Sequence, residues 1–412
     1  MSLDKLIPAP KALQIVLDGS GPFSSELVSL EDAAGRVLAS DLIALRTQPP
    51  FPASAMDGYA VRSDDVAKLP AQLNVIGESR AGVPFDEPIT AGSAVRIFTG
   101  AVIPENADTI IIQENTEVVG TDVVIKTSTP IGKYIRPAGL DFSKGDVLLN
   151  SGDVLTPARL SLAASMNHAN IEVHTKPKVS LISTGDELVL PGNQTGPGEI
   201  IASNTYGLMA LCNDAGADVQ NLGIAKDTAD DLRAHLETAI KNNSDLIITM
   251  GGASVGDHDL VLPVAKSIGF EFEIAKIAMR PGKPFLFAKL NKNGKTIRLC
   301  GLAGNPVSSL VAAGVFVRPL IHSMAGFQPE KSNPIKAVLG ADVPKNDERH
   351  EYMRATNRIG AGGEIIVTPY NRQDSSMLAN LASADCLLIR EIGAPAAHKG
   401  DECEFIPLKA FS

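Results

Sequence analysis

The sequence predicts a multidomain chain of α/β plus all-β class. It has a central, mostly parallel α/β domain, a small inserted β domain, a helical N-terminal and linker domain, and a C-terminal β-barrel-like domain. Three observations predict this. From Lys178 to about residue 327, strand-like and helix-like segments alternate, the pattern of a mostly parallel sheet with crossover helices. Between residues 46 and 141 the chain is a series of short β-rich runs split by turns. Beyond Gln328 it is β again. The boundaries are 1–45 with 142–177 for the helical part, 46–141 for the insertion, 178–327 for the α/β domain and 328–412 for the C-terminal domain.

Each element follows from local patterning. Residues 1–45 read as helix: an apolar run, Ala12-Leu-Gln-Ile-Val-Leu, precedes Asp18-Gly, and Leu27–Leu38 repeats apolar residues at helical spacing. Thr47-Gln-Pro-Pro-Phe-Pro ends that texture, because each proline removes an amide donor and clashes one turn back. Strands are predicted at Leu73–Ile76, Ala94–Phe98, Thr109–Gln113 and Asp122–Lys126. Helix returns after Thr156, which caps it, with Pro157 at the first helical position. The helical pieces on either side of the insertion are expected to pack together. In the α/β domain, strands are predicted at Val179–Ser183, Asp218–Gly223, Leu246–Met250, Pro284–Leu290 and Thr296–Cys300. The last two form a hairpin through Asn291-Lys-Asn-Gly-Lys. Helices are predicted at Ser203–Ala215, from Lys226-Asp-Thr to about Asn242, at Leu262–Ile268, and at Pro306–Met324 with a bend at Pro319. The C-terminal runs Ile335–Leu339, Glu351–Ala355, Glu364–Pro369, Cys386–Arg390 and Glu402–Leu408 alternate with turn signals, as in a small barrel.

Composition narrows the function. Hydrophobic residues make up 44% and charged residues 20% of 412, an ordinary globular mix. Aromatics are only 4% and Trp is absent, so the cores must rest on Leu, Ile, Val and Ala. A formal charge of −10 opposes non-specific nucleic-acid binding, and an anionic ligand would need a local basic patch. The first residues do not read as a signal peptide. The longest apolar stretch, around Ser309–Ile321, is broken by Arg318 and Pro319 and falls short of the ~20 residues of a membrane span. The expectation is a soluble, cytoplasmic protein. Cys212, Cys300, Cys386 and Cys403 lie far apart, which argues against a zinc site or a disulfide framework and for buried free thiols.

In an open α/β sheet, ligands collect outside the carboxyl ends of the strands. Three such exits carry unusual loops. Ser183-Thr184-Gly185-Asp186-Glu187 offers hydroxyls, amides and two carboxylates; an Asx-type turn is its plain alternative. Gly251-Gly252-Ala-Ser254-Val-Gly256-Asp257-His-Asp259 combines glycines that let a backbone approach a ligand with two carboxylates spaced to grip one hard cation such as Mg²⁺. It lacks the Gly-Lys-Ser/Thr of a Walker loop. Gly301-Leu-Ala-Gly304-Asn305-Pro306-Val-Ser308 opens a helix whose free amides favour an anion, with Asn305 able to cap. Between the last two lies Lys276-Ile-Ala-Met-Arg280-Pro-Gly-Lys283, the local basic patch that the acidic chain otherwise lacks. Ser54-Ala-Met-Asp57-Gly-Tyr and Phe98-Thr99-Gly100 read as ordinary turns when taken alone. Together these elements suit a phosphorylated or oxyanionic ligand handled with Mg²⁺, by electrostatics and positioning and not through a covalent intermediate.

PPFPASAMDGYAV, FTGAVIP, STGDEL, SNTYGLMALC, GGASVGDHD, MRPGKPF and GLAGNPVSS occur in that order. In this ordered set the chain resembles the molybdopterin molybdenumtransferase family, the MoeA-like molybdenum insertases, over essentially its whole length. The resemblance implies four domains including a molybdopterin-binding α/β domain, a homodimer, and insertion of molybdate into adenylylated molybdopterin with Mg²⁺ and release of AMP. It implies that the pyrophosphate lies on the Gly251–Gly256 amides and the Pro306 helix terminus, and that Asp257 and Asp259 hold Mg²⁺. Asp227 and Glu187 would line the same cleft. Lys283, Arg280 and Ser308 would attract molybdate, with Arg354 and Ser375 or Ser376 from the C-terminal domain. Asp57 and Thr99 match family cleft residues and would reach the partner subunit's site. The adenylyltransferase and the enzymes that accept the cofactor are the implied protein partners. Two departures stand out: Ala303 replaces the family's first proline of Leu-Pro-Gly-Asn-Pro, and Arg372-Gln-Asp-Ser-Ser lacks the usual Gly-Ser.

Two other readings remain open on the sequence: a molybdopterin adenylyltransferase, which would consume ATP, and a non-catalytic cofactor-binding scaffold. The flanking domains oppose the first. The retained carboxylates oppose the second, since buried unpaired charge is costly.

Overall fold

The computed structural model describes residues 6–252, 260–328 and 334–408. The chain divides into two compact units, one of Met1–Glu26, Gly35–Ala39 and Glu172–Ser412, the other of Leu27–Ala34 and Ser40–Ile171.

The larger unit is organised by six strands: β1 (Lys178–Thr184), β2 (Asp218–Ala225), β3 (Leu246–Met250), β4 (Glu271–Arg280), β5 (Pro284–Lys292) and β6 (Lys295–Leu302). They lie in the order β2-β1-β3-β6-β5-β4. The first four are parallel, while β5 runs antiparallel to both β6 and β4. Both faces of the sheet are covered, which is why its strands are nearly continuous apolar runs. Val179, Leu181, Leu246 and Ile248 pack with Leu208, Leu211, Phe316 and Leu320. The alternate residues Ile182 and Ile247 pack with Leu232, Leu236 and Val264 on the other side. The helix Ala229–Lys241 is started by Thr228, whose hydroxyl accepts the Asp231 amide, with Asp230 and Asp231 in the favourable first turn.

The C-terminal strands β7 (Ile335–Leu339), β8 (His350–Ile359), β9 (Ile365–Pro369), β10 (Cys386–Arg390) and β11 (Glu402–Pro407) close on themselves. The pairs β8–β9, β9–β7, β7–β11, β11–β10 and β10–β8 form a five-stranded barrel around Leu339, Val367, Leu388 and Phe405. Closure removes the unpaired edges that short strands would otherwise expose. The end of β4 joins this barrel through parallel pairing of Met279 with His350 and Arg280 with Glu351.

The smaller unit holds a six-stranded sheet in the order Thr109–Ile112, Gly58–Val61, Ser93–Ile97, Ala71–Ser79, Asp122–Ile125, Thr116–Val119. Its helix Pro157–Ser165 is capped by Thr156 as expected.

Several expectations are corrected. Leu27–Leu38 is not helical: Ser25–Ser29 is a strand, and the Ser29 hydroxyl turns Leu30–Asp32 into a single 3₁₀ turn. Leu27 is 71% exposed, so its apolar spacing does not mark a buried face. The α/β sheet is mixed but still mostly parallel: β5 alone runs against the other five strands, and it pairs on its far side with β4, a strand that the basic-turn reading concealed. Asp57-Gly58 leads into a strand, and that glycine serves close strand approach. Pro319 is accommodated by one wider π turn over Ala313–Val317 in the helix running from Pro306 to Met324. This helix is long and apolar enough to cross a membrane, yet 72% of its apolar window is buried within the protein. Cys403 is only partly buried, unlike Cys212, Cys300 and Cys386. Burial pushes the Cys212 thiol up to about 12 and those of Cys386 and Cys403 to about 11, so none is a thiolate at neutral pH.

Candidate active site

Strand register sets the stage. Thr184 lies opposite Ala225, Ser183 opposite Met250, Met250 opposite Leu302, and Leu302 opposite Phe285. Four carboxyl ends and the amino end of β5 therefore share one edge. The loops that leave it are those singled out by the sequence.

At β1 and β2, Asp186 and Asp227 face each other. The Asp227 amide donates to Asp186 Oδ1 at 3.1 Å, and the Asp186 amide to Asp227 Oδ2 at 3.4 Å. The loop carrying Asp227 is held by the next helix, since the Lys226 amide donates to Asp231 Oδ2 at 2.7 Å. Gly185 has φ +147°, and a Cβ there would lie 2.5 Å from Glu187 Oε2, so the Glu187 carboxylate lies against this backbone. Ser183 and Thr184 use their hydroxyls inside the protein: Ser183 Oγ lies 2.9 Å from Thr205 Oγ1, and Thr184 Oγ1 donates to the Met250 carbonyl at 3.4 Å.

At β3, Gly251 has φ +95°, and a Cβ would meet the Thr184 carbonyl oxygen at 2.5 Å. Its amide is committed to the Leu302 carbonyl at 3.1 Å. Gly252, at φ +59°, follows. Ser254, Gly256, Asp257 and Asp259 lie outside the described residues.

At β6, Gly304 lies beside Gly251: a Cβ on Gly304 would sit in ordinary contact, 3.8 Å from the Gly251 Cα. Two glycine backbones thus face each other with no side chain between them. Asn204 Nδ2 donates to the Gly304 carbonyl at 2.7 Å and fixes this loop. Asn305 does not cap its helix with its side chain; Nδ2 donates instead to Ser375 Oγ at 2.9 Å. The Val307 amide donates to the Ser375 carbonyl and that of Ser309 to the Asn305 carbonyl. The barrel loop thereby clamps the start of the helix behind Pro306, with Ser308 buried just inside it.

The clamp has its own support. Gln373 Oε1 accepts the Arg354 amide, and its Nε2 donates to the Arg354 and Tyr370 carbonyls. Arg354 is 1% exposed, and its Nη2 donates to the Asp374 carbonyl, so this arginine shapes the loop from within. Ser376 donates both amide and hydroxyl to Asp374 Oδ1, which holds the Asp374 carboxyl below its usual range.

The basic stretch splits in two. Arg280 is tied to Glu351 at 2.7 Å and Asp347 at 3.4 Å, so its charge is largely spent on the barrel. Lys276 is half-buried. Lys283 is exposed and makes no ion pair among the described residues. A Cβ on Gly282 would lie 3.5 Å from the Ser308 carbonyl, which places the Lys283 turn against the helix start.

In the smaller unit, Asp57 Oδ1 accepts both the amide and the hydroxyl of Thr99 at 2.8 Å. Gly100, at φ +83°, donates its amide to the Ser54 carbonyl. Arg96 donates to the Gly58 carbonyl and lies over the Tyr59 and Phe98 rings. The Thr99 amide, then its hydroxyl, hold the Asp57 carboxyl below its ordinary value. A lowered carboxylate contributes stability above the unfolded value near 3.8 and loses it as pH falls through the folded one. Thr99→Val, which keeps the amide, is expected to raise the Asp57 value only part way, as read by NMR titration of its carboxyl carbon. A full return to the ordinary value would sink this account.

The sequence reading missed Asn204 and Gln373. Asn204 stood in SNTYG at a helix start, a signal that was available; Gln373 carried none.

Residues 7–167 match the family profile for the MoeA N-terminal region (domain I and II), 180–323 that for a probable molybdopterin binding domain, and 336–408 that for the MoeA C-terminal region (domain IV). A molybdopterin molybdenumtransferase of Haemophilus influenzae is 36% identical over 372 residues, 90% of each chain. One from Bacillus subtilis is 33% identical over 402 residues, 96% of this chain and 92% of that one. A crystal structure of a molybdopterin biosynthesis MoeA protein from Pyrococcus horikoshii is similar over 99% of this chain and 100% of its own, with 30% identity and a TM-score of 0.81.

Proposed function

Because the chain belongs to the molybdopterin molybdenumtransferase family, we propose that its carboxyl-edge cleft takes adenylylated molybdopterin and molybdate and releases AMP as molybdenum cofactor forms. Molybdenumtransferase activity on molybdopterin is the family's function; the adenylylated form, Mg²⁺, the leaving AMP, a homodimer and a cytoplasmic setting are our reading. The observation that carries it is the bare backbone wall of Gly251 and Gly304 beside paired Asp186 and Asp227.

In this reading Gly251 acts by shape, since its amide already serves Leu302, and the amides from Gly252 onward meet the substrate phosphates. The helix start at Pro306 adds its positive end. Lys283 draws molybdate in, while Arg280, Arg354, Ser375 and Ser376 set the wall against which it rests. The hard-oxygen carboxylates at this edge suit Mg²⁺, with Asp257 and Asp259 as its holders and Asp186, Glu187 and Asp227 beside them. Bound there, Mg²⁺ would offset phosphate charge. Asp57 and Thr99 act on the partner's site. Catalysis rests on prearranged donors in a cleft that costs no reorganisation when charge moves.

The test follows AMP release from purified protein with adenylylated molybdopterin and Mg²⁺, with and without molybdate. Release should depend on molybdate and consume no ATP. ATP use on plain molybdopterin would instead make the chain an adenylyltransferase, and binding without turnover a scaffold. In the same assay, mixing inactive Asp57→Ala and Asp259→Ala chains should restore activity if subunits share sites; no recovery counts against a site built from both subunits.

A further inference from the structure

The opposite edge of the α/β sheet carries a second basic recess that the proposed reaction does not use. Lys178, Asp245 and Lys295 stand at the amino ends of β1, β3 and β6, and a cavity of about 610 Å³ opens there. At about 3.3 Å per residue, the five residues of β3 put this edge roughly 15 Å from the cleft described above, so no small ligand touches both.

At its base is Arg298, 1% exposed. Its Nη2 donates to the Gly19 carbonyl, but Nε and Nη1 are buried with no partner. Burial alone opposes a charge there and lowers its proton affinity. A guanidinium left with two orphaned donors in a water-poor place is costly unless an acceptor arrives. Neither nearby carboxylate fills that role: Glu273 is paired with Lys289 Nζ at 3.1 Å, and Asp245 is also occupied. Asp245 Oδ1 is taken by Lys295 Nζ at 2.7 Å and Oδ2 by the Lys178 amide at 2.7 Å. Four cationic side chains, those of Arg298, Lys176, Lys178 and Lys295, therefore line the cavity against one saturated carboxylate. In a chain of charge −10 that concentration is local and opposite in sign.

Phe23 lies over the guanidinium, its ring centre 5.8 Å from Arg298 Cζ, and is itself 47% exposed. It belongs to a stretch without helix or strand, so it is the side chain that yields when a ligand enters.

We propose that this recess is a second anion site, taking a small tetrahedral oxyanion on Arg298 and Lys178, with Phe23 as its cover. Phosphate and molybdate share that chemistry, so both serve as probes. Hydrogen–deuterium exchange on the full chain reads the site directly. Inorganic phosphate should slow exchange in residues 19–24 and 175–178, apart from any effect at 183–187 or 303–308. Lys178→Ala keeps the amide that Asp245 needs and should shift the phosphate midpoint about tenfold upward, the worth of one charged hydrogen bond. Arg298→Lys should abolish the protection. Molybdate protecting at lower concentration than phosphate would support the site and assign it to the reaction's own oxyanion; protection by phosphate alone would support it as a phosphate site. Protection confined to the carboxyl edge, or unchanged in Lys178→Ala, overturns the proposal and leaves the carboxyl-edge reading intact.

Discussion

Gly58→Ala is expected to unfold the smaller unit at moderate temperature. A Cβ there would lie 1.9 Å from the Ile111 carbonyl oxygen and 2.9 Å from Ile112 Cα, both on the paired strand's backbone. No side-chain rotation relieves such a contact, so the strands must part. Gly58 is also paired to Ile97 on its other side, and displacement breaks that ladder too. Overpacking of this kind costs about 3 kcal/mol or more. For a unit of this size that lowers Tm by roughly 10 °C. Asp57 would lose its place beside Thr99, and turnover would fall with it. Gly120→Ala is the control: its φ is +66° but nothing lies within 4 Å of the added methyl, so only about 1 kcal/mol is expected. Melting of both variants decides the matter. Equal Tm values would show that Gly58 is not needed for close approach.

Gly251→Ala separates catalysis from folding. The added methyl would meet the Thr184 carbonyl oxygen at 2.5 Å and its hydroxyl at 2.8 Å, on a backbone at φ +95°. Relief requires the exits of β1 and β3 to move apart by about an ångström, and a displacement of that order costs on the order of a hundredfold in rate. The strands themselves remain anchored by Leu246, Ile248 and Leu181 in a fully buried core, so stability should drop by only about 1–3 kcal/mol. Molybdate-dependent AMP release should fall at least about a hundredfold while the protein still melts cooperatively. Near-normal turnover would refute the backbone wall as the substrate cradle.

Local signals announced much of the fold. Leu246–Met250, Ile335–Leu339 and Cys386–Arg390 have the same ends in the structure as in the sequence reading, because each is a dense apolar run bounded by polar or turn residues. The cap at Thr156 was readable because a capping hydroxyl and its amide are three residues apart. Glu271–Arg280 was not read as a strand, since bulges at Phe272–Ile274 and Ile274–Lys276 disturb its alternation and its charged end resembles a surface turn. Gly58–Val61 was hidden by Asp-Gly, a pair that usually means a turn.

The sequence by itself determined the family and the strand-exit loops that share one sheet edge, because these lie in short contiguous motifs. Only the tertiary structure decided how those residues are spent. Arg280 was free to meet a ligand until β4 paired with β8 and set Glu351 against it. Arg354 stood, on the resemblance, as a cation for the substrate until barrel closure buried it behind Asp374. Asn305 was a helix cap until Ser375, 70 residues away, accepted its amide. Hydrogen bonds and ion pairs between distant residues depend on strand register and closure, and no local pattern encodes which partner arrives.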